Sequence, residues 1–156
     1  MEQISKYISL AQATWSDTAI RRGIINVPNS RELKAMKVLA EKIHTPISDQ
    51  LFGGQSVPFT SFYRSPTLNR VIGGAKTSQH VMGEAIDLDA DGTGVSNFEL
   101  FNWIRENLQY DQIIWEFGTK TNPAWVHVSY TERRNNRGEI LRAIRENGAV
   151  KYIKYE

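Results

Sequence analysis

The chain has 156 residues, of which 40% are apolar and 23% are charged, a composition within the ordinary range of globular proteins. This length is about one domain, and no apolar run approaches the ~20 residues of a membrane span, so we expect a single domain over residues 1–156 and no membrane insertion. The 19 basic and 17 acidic residues give a net charge of +2, too small and dispersed for a nucleic-acid-binding surface. Because there is no cysteine, any metal must be held by nitrogen and oxygen ligands.

Two capping boxes mark the starts of predicted helices. The first pairs Asn29 (or Ser30) with Glu32, and its helix is expected to end near His44-Thr45-Pro46. The second pairs Ser96 with Glu99. The apolar faces predicted for these helices are Leu33, Met36, Leu39 or Ala40 and Ile43 in the first, and Phe98, Phe101, Ile104 and Leu108 in the second.

The remaining pattern predicts one more helix and a sheet. The helix covers residues 138–147, with Ile140, Ala143 and Ile144 facing inward and Gly148 as its C-terminal stop. Strands are predicted from β-branched and aromatic runs at 59–63, 85–89, 112–117, 124–130 and 150–155. Because several loops between strands are too short for a helical crossover, we expect a mainly antiparallel sheet with helices packed on it, an α+β fold.

Two of these strands each place one candidate ligand on the face opposite their aliphatic residues. In "AIDLD" the aliphatic side chains alternate with Asp87, and in "AWVHVSY" the valines alternate with His127. If the two strands are neighbours, Asp87 and His127 meet on the exposed face. His80 lies in the loop before the first strand, where Gly83 allows the tight backbone path that folds this loop over Asp87.

These three side chains have the chemistry of a metal site. Two imidazoles and one carboxylate form the three-ligand set that catalytic zinc prefers, with a fourth position left for water. A structural zinc is more often closed by four protein ligands that include thiolates, and this chain has none. Zn²⁺ with one carboxylate keeps a net positive charge, enough to acidify water and polarise a carbonyl.

The segment "SQHVMGEAID" (78–87) matches the S-x-H-x-x-G-x-A-x-D signature of the zinc D-Ala-D-Ala carboxypeptidase family, which the chain resembles from about Ile8 to Tyr130. "WVHVSY" is similar to that family's later metal-binding histidine strand, and "SFYRSPTLNRVIGG" to its segment with a substrate-binding arginine. The resemblance implies the fold shared by Hedgehog domains and D-Ala-D-Ala peptidases. It also implies one zinc ion per chain, with a substrate carboxylate bound by an arginine; the implied residues are His80, Asp87 and His127 for zinc and Arg64 for the carboxylate.

One position departs from the family pattern. Many members carry the catalytic acid three residues before the final histidine, where this chain has Ala124. We nominate Glu116 as the general base, because the strand that ends there precedes the strand of the final histidine and can pair with it. Asp89 and Glu84 are the alternatives.

Three further side-chain roles are expected. Ser78 and Ser129 have no base except histidines that the metal would occupy, which disfavours a serine hydrolase, and Ser78 is expected to donate a hydrogen bond to the substrate or within the site. His44 is expected to cap a helix C-terminus or to be solvated. The pair Arg133-Arg134 is expected on a solvated face.

Together these residues predict a monomeric zinc metallopeptidase that hydrolyses an amide bond in the peptidoglycan stem peptide. The bond is either D-Ala-D-Ala, cut by a carboxypeptidase, or an L-Ala to D-Glu linkage, cut by an endopeptidase, and the expected site of action is the bacterial cell wall. Since the N-terminus lacks a secretory signal, we expect a phage lysin released at lysis, or an exported bacterial enzyme whose export segment is absent from the sequence.

Two non-catalytic alternatives remain open at this point. Asp87, Asp89, Asp91 and Gly92 reproduce the D-x-D-x-D-G opening of a calcium-binding EF-hand loop, but the twelfth position is Phe98, where a bidentate glutamate is needed. Calcium would also leave the histidines without a role. The second alternative is a zinc-holding interaction domain without turnover, which the missing acid at position 124 keeps open.

Overall fold

The computed structural model describes residues 2–156 and has one mixed sheet at its centre. Its strands are β1 (Phe59–Ser61), β2 (Ala85–Leu88), β3 (Gln112–Glu116), β4 (Trp125–Ser129), β5 (Glu139–Glu146) and β6 (Ala149–Lys154). They are hydrogen-bonded in the order β1-β2-β4-β3-β5-β6. β3 and β5 are parallel and the other neighbouring pairs are antiparallel, which is consistent with the predicted α+β class.

Short helices precede and interrupt the strands. They are α1 (Leu10–Ala13), α2 (Asp17–Arg22), α3 (Ser30–Leu39), α4 (Thr45–Gln50), α5 (Pro66–Val71) and α6 (Asn97–Asn107). Both predicted capping boxes are confirmed, since Asn29 caps α3 with Glu32 and Ser96 caps α6 with Glu99. None of the helices among residues 2–156 has the length and apolar character needed to cross a membrane.

The predicted end of the first long helix was wrong. The chain passes from α3 into a π-helical turn, Ala40–His44, and then continues into α4 with Pro46 in its first turn. A proline has no N–H to donate and its ring displaces the preceding carbonyls, and the wider π turn just before Pro46 accommodates both effects. The helical segment therefore reaches Gln50.

The predicted helix at 138–147 was also wrong, because this segment is strand β5. Its backbone pairs in parallel with β3, a long-range partner that the local spacing of apolar residues does not indicate. Asn147 and Gly148 have φ values of +53° and +77° and join β5 to β6 directly. Asn-Gly with both φ values positive is the preferred two-residue turn of a β-hairpin, so Gly148 closes a hairpin instead of ending a helix.

The core lies on one face of the sheet. Alternate residues of β2, β3 and β4 have no solvent exposure there, namely Ile86, Leu88, Ile113, Trp115, Val126 and Val128. Met36, Leu39 and Ile43 pack onto this face from the N-terminal helices, as predicted, and α6 adds Leu100, Phe101 and Ile104. Phe98 was predicted to face inward but is 40% exposed. The opposite face of the sheet is left free for a site.

His44 belongs to the core, contrary to its expected position as a solvated or capping side chain. It has no solvent exposure, and its Nε2–H donates to the carbonyl of Val57 at 2.9 Å. Its Nδ1 has no hydrogen-bond partner. Burial lowers the pKa of His44 to about 4, while the hydrogen bond to Val57 offsets part of that effect.

We predict that His44 makes the folded state less stable as the pH falls. The unfolded chain takes up a proton near pH ~6.5 and the folded chain only near pH 4, so stability is lost across this window, by about 2 kcal/mol between pH 7 and pH 5. Urea unfolding of the parent and of His44→Gln at both pH values measures the difference. Glutamine can donate to Val57 but does not titrate, so the variant should lose less stability; equal losses would contradict the prediction.

Candidate metal centre

The register between β2 and β4 brings two of the predicted ligands together. Asp87 lies directly opposite His127 in this antiparallel pair, on the sheet face away from the core. His127 Nδ1 is 2.9 Å from Asp87 Oδ1. The alternation that predicted this pair from the sequence is therefore confirmed by the strand pairing.

His80 reaches the same carboxylate from the turn before β2. Gly83, with a φ of +73°, lets this turn pass close to α3, because a Cβ at that position would lie 2.5 Å from the carbonyl oxygen of Glu32. The imidazole of His80 is almost fully buried, and its Nε2 is 3.3 Å from Asp87 Oδ2. The predicted role of Gly83 in folding this loop over Asp87 agrees with that geometry.

The three side chains converge on one point. One potential ligand atom from each of His80, Asp87 and His127 lies within 4.8 Å of the others, and no other group of this kind is found in residues 2–156. Burial opposes ionisation of Asp87, but the neighbouring imidazoles of His80 and His127 outweigh it and hold the pKa of this carboxyl well below its usual range. Asp87 therefore carries a negative charge at neutral pH.

The hydrogen bonding of His80 fits a metal ligand. Its Nδ1–H donates to the carbonyl of Phe62 at 2.7 Å, which leaves the lone pair of Nε2 directed toward the carboxylate of Asp87. Nε2 is buried and has no hydrogen-bond partner. Burial also lowers the pKa of His80, so a lone pair and an anion face each other unless a cation lies between them. The backbone carbonyl of Phe62 thus orients the imidazole of His80 as the outer hydrogen-bond partner of a metal ligand commonly does.

Glu116 lies on the same sheet face as the cluster. β3 pairs with β4 so that Ile114 is opposite His127 and Glu116 is opposite Trp125, one pair further along the strands. Glu116 is 7% exposed. Burial raises its pKa to about 7, Asp87 adds to the rise, and the neighbouring His127 and Arg64 oppose it. A carboxylate with this pKa can both accept and return a proton near neutral pH.

Arg64 is held beside the cluster by a buried asparagine. Its Nη1 donates to Asn69 Oδ1 at 3.3 Å, and Asn69 in turn donates to the carbonyl of Ala75. Gly74 makes this packing possible, because a Cβ there would lie 2.0 Å from Asn69 Oδ1. Arg64 Nε is buried without a partner. The guanidinium is thus positioned with donors to spare, as binding of a carboxylate requires.

All of these groups line one cleft of about 1090 Å³. Its walls include Ser78, the three candidate metal ligands, Glu116 and six cationic side chains, Arg64, Lys76, Arg133, Arg134, Arg137 and Arg145. Arg133 and Arg134 are exposed, as predicted, and each also forms an ion pair, Arg133 with Glu84 and Arg134 with Asp111. The excess of positive charge favours an anionic ligand.

The structure does not favour either alternative base. Both oxygens of Glu84 accept hydrogen bonds from Arg133, and these bonds keep its pKa below the usual value although burial opposes this. Asp89 Oδ1 accepts hydrogen bonds from the backbone N–H of Asp91 and from Asn97. This loop is therefore stabilised by its own donors, and among residues 2–156 neither Asp89 nor Asp91 belongs to a group of potential metal ligands.

Comparison with known proteins identifies the family. A family model described as peptidase M15 matches residues 6–129, which is most of the chain. The matched region includes Arg64, the three candidate ligands and Glu116. The chain belongs to the peptidase M15 family. This is the zinc D-Ala-D-Ala carboxypeptidase and Hedgehog-like family, as the resemblance implied. No significant match was found among curated proteins.

Several contributors to the M15 site were missed from the sequence. The carbonyl of Phe62 and the amide of Asn69 orient His80 and Arg64, but a backbone carbonyl and an isolated asparagine give no recognisable pattern. Arg145 and Tyr152 line the cleft from beyond the matched region. An Asn-Gly pair at 147–148 was the available signal for the hairpin that carries them.

We predict that zinc binding to this M15 chain depends on His80 and His127 and not on His44. His80→Ala and His127→Ala should each lose stoichiometric zinc, because two remaining ligands hold the ion weakly. His44→Gln is the matched control and should keep one zinc per chain. Metal analysis after dialysis measures the content, and a zinc-dependent rise in Tm, expected only for the parent and control, reports binding independently. Full zinc in both alanine variants would contradict the prediction.

Proposed function

We propose that the protein is a zinc-dependent metallopeptidase that hydrolyses an amide bond in peptidoglycan stem peptides. The observation that carries this proposal is the convergence of His80, Asp87 and His127 in a cleft that also contains Glu116 and Arg64. Membership of the peptidase M15 family supports the reaction class, and the family is zinc-dependent in general. The proposed place of action is the bacterial cell wall, where the protein acts as a monomer.

In the proposed reaction, Glu116 transfers the proton beside the zinc-binding residues. The chemistry that zinc supplies when bound is acidification of a coordinated water and polarisation of the scissile carbonyl. Glu116 accepts a proton from the attacking water as its oxygen bonds to the carbonyl carbon. When the C–N bond breaks, Glu116 returns that proton to the leaving amine. Its raised pKa suits both transfers, since it lies close to neutral pH.

Arg64 is proposed to bind a substrate carboxylate. A guanidinium can grip a carboxylate through two parallel hydrogen bonds, and Asn69 leaves most donors of Arg64 unused. Stem peptides offer such a group either as a free C-terminus or as an acidic side chain near the scissile bond. Ser78 also lines the cleft and is proposed to hydrogen-bond the substrate; its Oγ accepts a bond from the backbone N–H of His80, and its own O–H is available to donate.

The placement of Glu116 favours an enzyme over a zinc-holding interaction domain. Burial raises the pKa of Glu116, and its carboxylate receives no stabilising hydrogen bond. An interaction domain without turnover gains nothing from such a group beside the candidate metal ligands. Glu116 thereby supplies the group that is missing at Ala124. We propose that the base is supplied by β3 instead of by the residue just before β4.

We predict that Glu116→Gln abolishes turnover while keeping the metal. Losing a general base should lower kcat by roughly 10²- to 10⁴-fold, and the isosteric amide leaves packing and the three ligands unchanged. Purified peptidoglycan and a D-Ala-D-Ala-terminated peptide are incubated with parent, variant and Glu132→Gln, an exposed control. Product masses identify the bond that is cut, and metal analysis verifies the zinc content. A Glu116→Gln protein as active as the parent would rule out this base.

We predict that Arg64 discriminates between charged and neutral substrates. The parent should cleave a peptide with its carboxylate intact better than the matched amide, and Arg64→Lys should lose about 10- to 100-fold in kcat/KM on the charged peptide alone, since charge-assisted bonds are worth about 1.5–3 kcal/mol. Arg31→Lys, at an exposed position, is the control. Equal losses of kcat/KM on both peptides would show that Arg64 does not bind the substrate carboxylate.

A further inference from the structure

The hairpin of β5 and β6 extends the site face of the sheet beyond the region that the family model matches. The matched residues end at 129, and β5 begins at Glu139. β5 pairs with β3, so the hairpin adds two strands on the side of the catalytic carboxylate. The sheet is therefore continuous from the proposed metal ligands to the hairpin.

The register places Tyr152 in line with Glu116. Glu116 pairs with Ala143 of β5, and Ala143 pairs with Tyr152 of β6. Side chains of directly paired residues share a face of the sheet, so Tyr152 and Glu116 project on the same side. The residue between them is an alanine with no solvent exposure, whose single methyl leaves room for the phenol ring to lean toward Glu116.

Tyr152, Val150 and Arg145 of the hairpin line the same cleft as Arg64, Glu116 and His127. Tyr152 is 55% exposed and Val150 is 44% exposed. Arg145 lies over the ring of Phe117 at 4.6 Å, and Phe117 contacts Trp125 with ring centroids 5.5 Å apart. These three hairpin residues form one wall of the cleft, which presents aromatic and aliphatic surface next to the proposed base and the cation of Arg145.

Packing on the other face holds this wall in place. The guanidinium of Arg142 lies 4.5 Å above the ring of Trp115, and Tyr155 stacks on that ring with centroids 5.8 Å apart. Trp115 is a fully buried residue of the core. Arg142 of β5 and Tyr155, which follows β6, therefore both attach the hairpin to the core.

We propose that the β5–β6 hairpin forms a substrate subsite, in which Tyr152 packs against the bound peptide beside the scissile bond and donates a hydrogen bond to a peptide carbonyl. Partial burial and the negative charges of Glu116 and Asp87 raise the pKa of Tyr152, so its hydroxyl keeps the proton that it donates. The inference rests on the proposed function, since the peptide is the one whose bond the site cleaves. Its class is an extended anionic peptide that crosses the strands from Arg64 to Tyr152.

The test separates binding from chemistry. KM and kcat for the stem peptide are measured for the parent, Tyr152→Phe and Tyr152→Ala, with Lys151→Ala as the control from the same strand. Tyr152→Ala should raise KM at least about tenfold, Tyr152→Phe should raise it less, and kcat should change little in either. Zinc content and Tm should match the parent, because Tyr152 is mostly exposed. An unchanged KM in Tyr152→Ala, with an active parent, overturns the subsite alone.

A second measurement tests the subsite even if the parent protein has no peptidase activity. The Kd of the same peptide is determined for zinc-loaded Glu116→Gln with and without Tyr152→Ala, so that no cleavage is needed. Weaker binding in the double variant supports the subsite even if the parent cleaves nothing, an outcome that overturns only the proposed function. Equal Kd values, or no binding in either protein, overturn the subsite.

Discussion

The antiparallel register of β2 and β4 is the constraint on which the rest of the site depends. It places Asp87 opposite His127 while Ile86 and Val128 fill the core. A shift of one residue would turn every side chain of a strand to the other face, burying a carboxylate and exposing aliphatic residues. The burial of the apolar face therefore holds Asp87 and His127 in position, so the free energy that stabilises the core also defines the geometry of the candidate metal centre.

The buried carboxylates of this protein differ in what surrounds them. Glu84 and Asp111 are each held by arginines, which keep the pKa of both carboxyls low and give them a structural role. Asp87 is held by two imidazoles. Glu116 has no such partner, and burial brings its pKa to about 7. Because a proton-transfer group must exchange protons near neutral pH, this difference separates the proposed base from carboxylates that stabilise the fold.

Much of the framework was predictable because its signals are local. Capping boxes at Asn29 and Ser96 lie within one turn of the helices they start, and the alternation around Asp87 and His127 follows from strand geometry. Residues 138–147 could not be assigned in this way, since their apolar spacing fits a helix. Parallel pairing with β3 decided the outcome, and it depends on residues distant in the chain.

By itself, the sequence determined which side chains are the candidate metal ligands, because a period of two places Asp87 and His127 on one face of their strands and His80 lies in the loop just before the first of them. Only the tertiary structure decided the surroundings that give those residues their properties. It buried His44, set Asn69 against Arg64, desolvated Glu116 and placed Tyr152 in the cleft across Ala143. Each of these depends on contacts between segments far apart in the chain, and burial and charge, which set pKa values, arise from such contacts.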